Sequence, residues 1–146
     1  MTTHKPLYLA SQSPRRLELL KLVGINAEIL PVSADAHLQL GIDETPFANE
    51  TPRDYVQRIC ADKVQAGWLA LQRRNDLPPA PVLAADTTVA LNGDTLGKPA
   101  SREEAAAMLR RLSGRTHEVL SAVAITFDGR TESRLSITTV DFIPLD

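Results

Sequence analysis

The chain has little material for disulfide bonds, membrane insertion or nucleic-acid binding. Cys60 is the only cysteine among 146 residues, so no internal disulfide can form. No apolar run approaches the roughly twenty residues that a bilayer-spanning helix needs, and Met1–Pro6 lacks the apolar core of a signal peptide. A formal net charge of -2 argues against a general nucleic-acid binder. We therefore expect one cytoplasmic domain over residues 1–146, with neither membrane nor nucleic acid as a partner.

A hydroxyl-rich turn that runs into two arginines is a candidate anion site. Leu7–Ala10 has the apolar character of a short buried strand, and Ser13-Pro14 supplies a cap residue and a first-turn proline for a helix. A helix N-terminus carries partial positive charge, and guanidinium groups suit phosphate oxygens. The alternative is an ordinary helix start whose arginines face water. The residues of this turn that are candidates to bind a polyphosphate are Ser11, Ser13, Arg15 and Arg16.

We predict that residues 33–50 form a loop that is rich in carboxylates. Carboxylate oxygens are suitable ligands for a hard divalent cation. The alternative is that these acids are simply solvated. The acidic residues of the loop are Asp35, Asp43, Glu44 and Glu50.

A lysine interrupts the apolar stripe of the next predicted helix. Thr51-Pro52-Arg53-Asp54 has the capping hydroxyl, first-turn proline and early carboxylate of a helix start. Lys63 shares its stripe with the apolar positions of that helix, which are Val56, Ile59, Cys60 and Gly67. Either the stem of Lys63 covers apolar surface while its ammonium reaches water, or the ammonium belongs to a site.

A carboxylate lies inside the most apolar strand of the sequence. Val82–Ala85 and Val89–Leu91 predict a buried central strand that Asp86, Thr87 and Thr88 interrupt. Burial of an ionised aspartate is costly unless it has hydrogen-bonded, metal or cationic partners. We therefore expect the strand to open into a cleft at this break, and Asp86 is the leading catalytic candidate. A structural pair of Asp86 with an arginine is the alternative.

Turn signals in the second half bring a further lysine toward that strand. Asn92-Gly93 predicts a two-residue hairpin, which would return Gly97-Lys98-Pro99 to the neighbourhood of Asp86. Pro99 keeps Lys98 extended and outside the helix that Ser101–Glu104 caps. Alternating residues on either side of Asp128-Gly129 predict two antiparallel strands.

The turn and a series of later blocks resemble the Maf family of nucleoside triphosphate pyrophosphatases, in the order of that family and from Leu7 to about Val140. The resemblance implies a mixed α/β fold with a cleft between two lobes. It also implies hydrolysis of a nucleoside triphosphate to the monophosphate and pyrophosphate with Mg²⁺ or Mn²⁺. The later blocks are Ile42-Asp43-Glu44-Thr45-Pro46, Glu50-Thr51-Pro52, Ala61-Asp62-Lys63, Ala85-Asp86-Thr87-Thr88-Val89, Gly97-Lys98-Pro99 and Leu112-Ser113-Gly114-Arg115-Thr116-His117.

Residue roles also follow from the resemblance. It implies that Asp86 accepts a proton from the attacking water, and that Lys63 and Lys98 contact the triphosphate. Glu44 and Asp86 become the candidate metal ligands. The arginine pair in the turn and Thr87 after the aspartate side with the subgroup that takes dTTP and UTP, and methylated pyrimidine nucleotides are plausible further substrates. The subgroup that takes 7-methyl-GTP tends to carry an aromatic residue in place of Arg15 and a glutamine in place of Thr87.

The sequence departs from the family pattern at its end, because Phe142–Asp146 closes the chain where family members continue. The resemblance therefore implies a missing C-terminal segment that leaves a sheet edge or apolar face unprotected. We expect low stability, self-association or pairing with a partner chain as the result, and impaired catalysis. A homodimer is consistent with the family. The rival interpretation is a non-catalytic nucleotide-binding regulator of septum formation and cell division, which would bind nucleotide without releasing pyrophosphate.

Overall fold

A computed structural model describes residues 6–11, 13–30 and 42–146, so Asp35 of the acidic loop lies outside the described residues. The strands lie in the order β2-β1-β3-β5-β6, with β4 paired to β3. Pairing is parallel around β1 and antiparallel elsewhere, which confirms the mixed α/β fold. Along the chain the elements are β1 (Tyr8–Leu9), α1 (Pro14–Leu22), β2 (Glu28–Ile29), α2 (Pro52–Gln72), β3 (Val82–Leu91), β4 (Asp94–Leu96), α3 (Arg102–Leu112), β5 (Thr116–Phe127) and β6 (Arg130–Asp141).

The register of β1 against β3 places the hydroxyl-rich turn beside Asp86. Leu9 pairs with Leu83, and the Ala10 amide donates to the Leu83 carbonyl (2.8 Å). Because parallel strands end at the same edge of a sheet, the turn at Ser11 emerges next to the continuation of β3. The first strand thus delivers its turn to the predicted site.

Helix α2 covers one face of the sheet through the predicted stripe. Val56, Ile59, Cys60 and Val64 are buried there, and the Thr51 hydroxyl accepts a hydrogen bond from the Asp54 amide at the helix start. Gly67 marks the closest approach, since a Cβ at that position would lie 2.7 Å from Ala10 Cβ and 3.0 Å from Val82 Cγ1. The absence of a side chain therefore lets α2 lie close to the carboxyl end of β1.

The predicted central strand is confirmed, and its polar residues do not break the backbone, because the strand continues from Val82 to Leu91. Its side chains alternate, so that Asp86 is buried on the α2 face while Thr87 is exposed on the other face. One edge of β3 is paired with β5 throughout. Along the other edge, within the described residues, β1 pairs only as far as Leu83 and β4 pairs only from Val89 onward. The backbone is therefore continuous, and the sheet opens sideways at Asp86.

Both predicted hairpins are confirmed. Asn92 and Gly93 have φ of 53° and 84°, and Asp128 and Gly129 have φ of 50° and 78°, as a two-residue turn with left-handed residues requires. The first hairpin joins β3 to β4, and the second joins β5 to β6, which lies at one edge of the described sheet. Most side chains of β6 are exposed.

The three predicted helix caps differ in outcome, because those at Thr51 and Ser101 form and that at Ser13 does not. The Ser101 hydroxyl accepts from the Glu104 amide (3.1 Å) and so caps α3. Ser13 occupies the cap position of α1 but makes no side-chain cap hydrogen bond, contrary to prediction. The polar contacts of that turn converge instead on Ser11, whose Oγ accepts from the Ser13 amide (3.1 Å) and from Arg16 Nη1 (3.1 Å). Within the described residues, no side chain therefore caps the first turn of α1.

Candidate active site

Lys63 lies between two carboxylates that come from different parts of the chain. Its ammonium donates to Asp86 Oδ1 at 2.8 Å and lies 2.9 Å from Glu44 Oε1. The exposed fractions of the side chains are 16% for Lys63, 9% for Asp86 and 40% for Glu44. Helix α2 supplies the lysine, β3 supplies the aspartate, and the loop before α2 supplies the glutamate. The apolar stripe thus bears a lysine because that lysine has buried anionic partners.

Electrostatics keep Glu44 and Lys63 of this triad ionised. The hydrogen bond from Lys63 lowers the pKa of Glu44 and outweighs the opposing effect of burial. Burial alone would lower the pKa of Lys63, but the hydrogen bonds to Asp86 and Glu44 outweigh burial, and its pKa is raised. Glu44 and Lys63 are therefore both charged at neutral pH.

An open cleft of about 510 Å³ lies over this part of β3. Glu44, Pro46 and Tyr55 line it on one side, and Asp86–Val89 line it along the strand. The opposite side is formed by the hairpin, the residues after it and α3, namely Thr95, Leu96, Gly97, Lys98, Pro99, Met108 and Leu112. The open edge of β3 is thus continuous with a cavity large enough for a small organic ligand.

Lys98 and Thr87 are both among the residues that line this cleft, and neither is buried. Lys98 is 85% exposed and its Nζ lies 4.0 Å from Glu44 Oε2. The Thr87 hydroxyl is 3.0 Å from Ser121 Oγ on the neighbouring strand. The hairpin therefore returns Lys98 to the predicted place, whereas Thr87 lies on the opposite face of β3 from Lys63.

The turn residues divide into two pairs. Arg16 is partly buried, hydrogen-bonds Ser11 Oγ, and is close enough to contribute to the lowered pKa of Glu44. Arg15 is exposed and makes no ion pair with the described residues, and the Ser13 hydroxyl makes no cap bond. The structure thus brings Ser11 and Arg16 toward the triad and leaves Arg15 exposed, without an ion pair to the described residues.

Two residues of the site that the sequence analysis missed are Tyr55 and Arg58. Tyr55 Oη donates to the Glu44 carbonyl oxygen (2.8 Å), and Arg58 Nη2 donates to the Thr45 carbonyl oxygen (3.1 Å). Tyr55 shares a four-residue spacing with Ile59 and Lys63, a signal that could have placed it on the same face of the helix. Within α2 Arg58 lies 3.8 Å from Asp62, four positions further along, but no comparable signal links Arg58 to the loop, because Thr45 and Glu50 lie outside the helix.

The donor set is compatible with a hard cation that is also held by a ligand. Glu44 and Asp86 contribute carboxylate oxygens, and Asp86 Oδ2 accepts no hydrogen bond from the described residues. Mg²⁺ is commonly held by one or two carboxylates together with substrate phosphates. Within the described ranges, no three His, Cys, Asp or Glu side chains form a metal cluster. The residues present therefore fit a cation shared with a phosphate group better than a cation held by protein alone.

The family model described as Maf-like protein matches residues 6–146. The chain belongs to the Maf family. Among its described residues, no helix of this Maf protein combines the length and apolarity needed to cross a membrane.

Curated relatives of this Maf protein carry the name dTTP/UTP pyrophosphatase. The relative from Nitrosomonas europaea is 52% identical over 136 residues, which cover 93% of this chain and 65% of the relative. The relative from Cupriavidus metallidurans is 51% identical over 141 residues, which cover 95% of this chain and 68% of the relative. The chain thus spans about two thirds of the length of these relatives.

A solved structure shares the fold at much lower identity. The Ham1 protein of Staphylococcus aureus superposes with a TM-score of 0.59 and 16% identity, over 94% of this chain and 71% of that protein. This likeness concerns the fold alone.

Proposed function

We propose that this Maf protein hydrolyses nucleoside triphosphates to the monophosphate and pyrophosphate, with dTTP and UTP as its substrates. The observation that carries the proposal is Asp86, a carboxylate oriented by Lys63 at the open edge of a central strand, beside a cleft. The names of the relatives support this reaction and these substrates. They favour an enzyme over a non-catalytic nucleotide-binding regulator.

In the proposed reaction Asp86 is the general base. In the protein without ligand Lys63 donates to Oδ1, and Oδ2 accepts no hydrogen bond from the described residues, so a water molecule can donate to Oδ2. As the water oxygen bonds to the α-phosphorus, its proton passes to the Asp86 carboxylate. The bond from the α-phosphorus to the bridging oxygen breaks, and pyrophosphate leaves with the electron pair. General-base catalysis of this kind contributes roughly 10²–10⁴-fold.

Cationic side chains around Asp86 would bind the triphosphate. Lys63, Lys98 and Arg16 approach the cleft from α2, from the segment after β4 and from α1. Negative charge builds up on the leaving pyrophosphate, so ammonium and guanidinium groups placed beforehand stabilise the transition state more than the ground state. In this proposal Ser11 orients Arg16, while Ser13 and Arg15 bind phosphate only if a ligand draws them inward.

Glu44 and Asp86 are the proposed ligands of a divalent cation, Mg²⁺ or Mn²⁺. When bound, such a cation would neutralise phosphate charge. Because the Lys63 ammonium already lies between the two carboxylates, a cation held there would compete with the ammonium for the same oxygens, and the phosphate groups of a bound nucleotide would draw the ammonium toward themselves. The site should therefore bind metal with nucleotide more tightly than metal alone.

A pair of variants tests the assignment of the base. We expect Asp86→Asn to lower kcat for dTTP and UTP by about 10²–10⁴-fold, measured as pyrophosphate release with Mg²⁺ or Mn²⁺. Asp94→Asn is the matched control, because Asp94 is an exposed carboxylate on the adjacent hairpin. Equal activity of the two variants would contradict the role of Asp86. Preference for 7-methyl-GTP over dTTP and UTP would contradict the substrate assignment.

Isotope labelling locates the bond that breaks. Hydrolysis in ¹⁸O-water should place the label in the nucleoside monophosphate, because the proposed attack is on the α-phosphorus. Label in the pyrophosphate would mean attack on the β-phosphorus. Saturable nucleotide binding by the folded chain without either product would support the regulator. Action in the cytoplasm and assembly as a homodimer stay predictions of the sequence.

A further inference from the structure

The loop that carries Glu44 contains no helix or strand of its own. Residues 43–50, here called the Glu44 loop, connect to α2 through Thr51. Phe47, its large apolar residue, is 63% exposed, so burial of apolar surface does little to fix the loop. Something other than a hydrophobic core must hold Glu44 beside Lys63.

Arg58 of α2 contacts this loop at several points. Its Nε and Nη2 donate to Glu50 Oε2 and Oε1 at 2.7 and 2.9 Å, and Nη2 also donates to the Thr45 carbonyl oxygen at 3.1 Å. Its guanidinium carbon lies 3.8 Å from the centre of the Phe47 ring. The Glu50 side chain is 8% exposed. One planar, forked side chain thus binds the beginning, middle and end of the loop, a geometry that lysine does not reproduce.

Tyr55 adds a contact at Glu44 itself. Its hydroxyl donates to the Glu44 carbonyl oxygen (2.8 Å), and the residue is 9% exposed. The two consecutive carbonyl groups of Glu44 and Thr45 are therefore both held by side chains of α2, the helix that also carries Lys63.

We propose that Arg58 and Tyr55 are positioning residues, which clamp the Glu44 loop to α2 and so set the Glu44 carboxylate for its metal and phosphate ligands. This inference rests on the proposed function for the role of Glu44, but the clamp itself is a property of the protein without ligand. It assigns to Arg58 an effect on metal binding that acts only through Glu44. An arginine that merely stabilises the fold would not depend on that carboxylate.

Hydrogen exchange tests the clamp without any ligand. We expect Arg58→Met to increase exchange in the peptide spanning residues 43–50 while the peptides of β3 and β5 keep their protection. Arg53→Met is the matched control, because Arg53 is an exposed arginine of the same helix without an ion pair to the described residues. Unchanged exchange in the Glu44 loop of Arg58→Met would overturn the proposal.

A double-mutant cycle tests the consequence for the site. The probe is Mn²⁺ with the α,β-imido analogue of dTTP, and free Mn²⁺ is counted by electron paramagnetic resonance. We expect Arg58→Met to weaken Mn²⁺ binding about 10-fold, the effect typical of losing the contacts that support a metal ligand. Glu44→Gln removes the charged ligand itself and should weaken Mn²⁺ binding at least as much. In the Glu44→Gln background, Arg58→Met should then have no further effect. Arg58→Lys should rescue little, because it lacks the forked geometry.

The outcomes separate the two proposals. If Arg58→Met weakens Mn²⁺ binding by the same factor with and without the Glu44 carboxylate, the positioning role is refuted. If the unaltered protein binds no Mn²⁺ with the analogue, the proposed function fails, while hydrogen exchange still decides the clamp. Should Arg58→Met fail to fold, Tyr55→Phe removes a single oxygen atom and carries both measurements, with smaller effects of the same sign expected.

Discussion

Replacing Lys63 with methionine is the sharpest perturbation of the triad, because methionine keeps an unbranched apolar stem and removes only the charge. The change deletes contacts of 2.8 and 2.9 Å to Asp86 and Glu44. Two like charges about 5 Å apart repel by about 1 kcal/mol in water and about 3 kcal/mol at the effective dielectric of a protein surface. Glu44 is 40% exposed, so solvent screens much of this repulsion. The buried Asp86 also loses a charged hydrogen bond. We therefore expect Lys63→Met to lower the free energy of unfolding by about 2 kcal/mol.

Urea unfolding near pH 7 measures this loss, and two further variants make it specific. Lys98→Met should change the free energy of unfolding by less than about 0.5 kcal/mol, because that lysine is 85% exposed and 4.0 Å from Glu44. Adding Glu44→Gln to Lys63→Met should recover about 1 kcal/mol by removing one of the two repelling charges. A double variant as unstable as Lys63→Met alone would refute the reasoning.

The difference in unfolding free energy between the unaltered protein and Lys63→Met should depend on pH, and the direction of that dependence is definite. Because Lys63 lowers the pKa of Glu44 from its ordinary 4.5, the contribution of Glu44 is complete above that pH and is lost as pH falls through the folded value. Because the pKa of Lys63 is raised from 10.5, its contribution is complete below 10.5 and is lost as pH rises through the folded value. The stability gap between unaltered protein and Lys63→Met should therefore be widest between about pH 4.5 and 10.5 and narrow on either side. A constant gap down to pH 3 would contradict the ion-pair explanation.

Three further predictions concern the same helix. Without nucleotide, Lys63→Met should bind Mn²⁺ more tightly than the unaltered protein, since both carboxylates are released from the ammonium. Equal or weaker binding, measured by electron paramagnetic resonance, would contradict the proposal that lysine and metal share these carboxylates. Gly67→Ala should lose about 1–3 kcal/mol of unfolding free energy through overpacking against Ala10, and exposed Gln65→Ala serves as its control. Burial raises the pKa of Cys60 to about 11, so a thiol reagent at pH 8 should label it only upon unfolding, and rapid labelling of native protein would contradict that burial.

Local sequence signals were sufficient for the elements that frame the site. The cap at Thr51, the apolar stripe of α2 and the turns at Asn92-Gly93 and Asp128-Gly129 are all confirmed. These features depend on residues within about one helical turn or one tight turn of each other, so the sequence states them directly. Asp86 was singled out for a related reason, because a carboxylate in an apolar strand needs a partner wherever the strand lies.

The identity of that partner required the tertiary structure. Lys63 and Asp86 are 23 positions apart in the chain. They meet because α2 packs against the face of β3 on which the Asp86 side chain lies. The alternative of an aspartate–arginine pair is replaced by a lysine shared between two carboxylates. The way β3 opens also required the tertiary structure, since pairing with β5 keeps the strand continuous while the opening lies along its other edge.

By itself the sequence determined the helices, the hairpins, the family and the residues that carry charge into the site. Only the tertiary structure decided which charges meet, which side of β3 opens and which side chains hold the Glu44 loop. Arg58 illustrates the difference, because its contacts join a helix to a loop that has no periodic pattern of its own. The physical reason is one of range: helix and turn preferences act over a few neighbouring residues, whereas strand pairing and helix packing bring distant polar groups within hydrogen-bond distance.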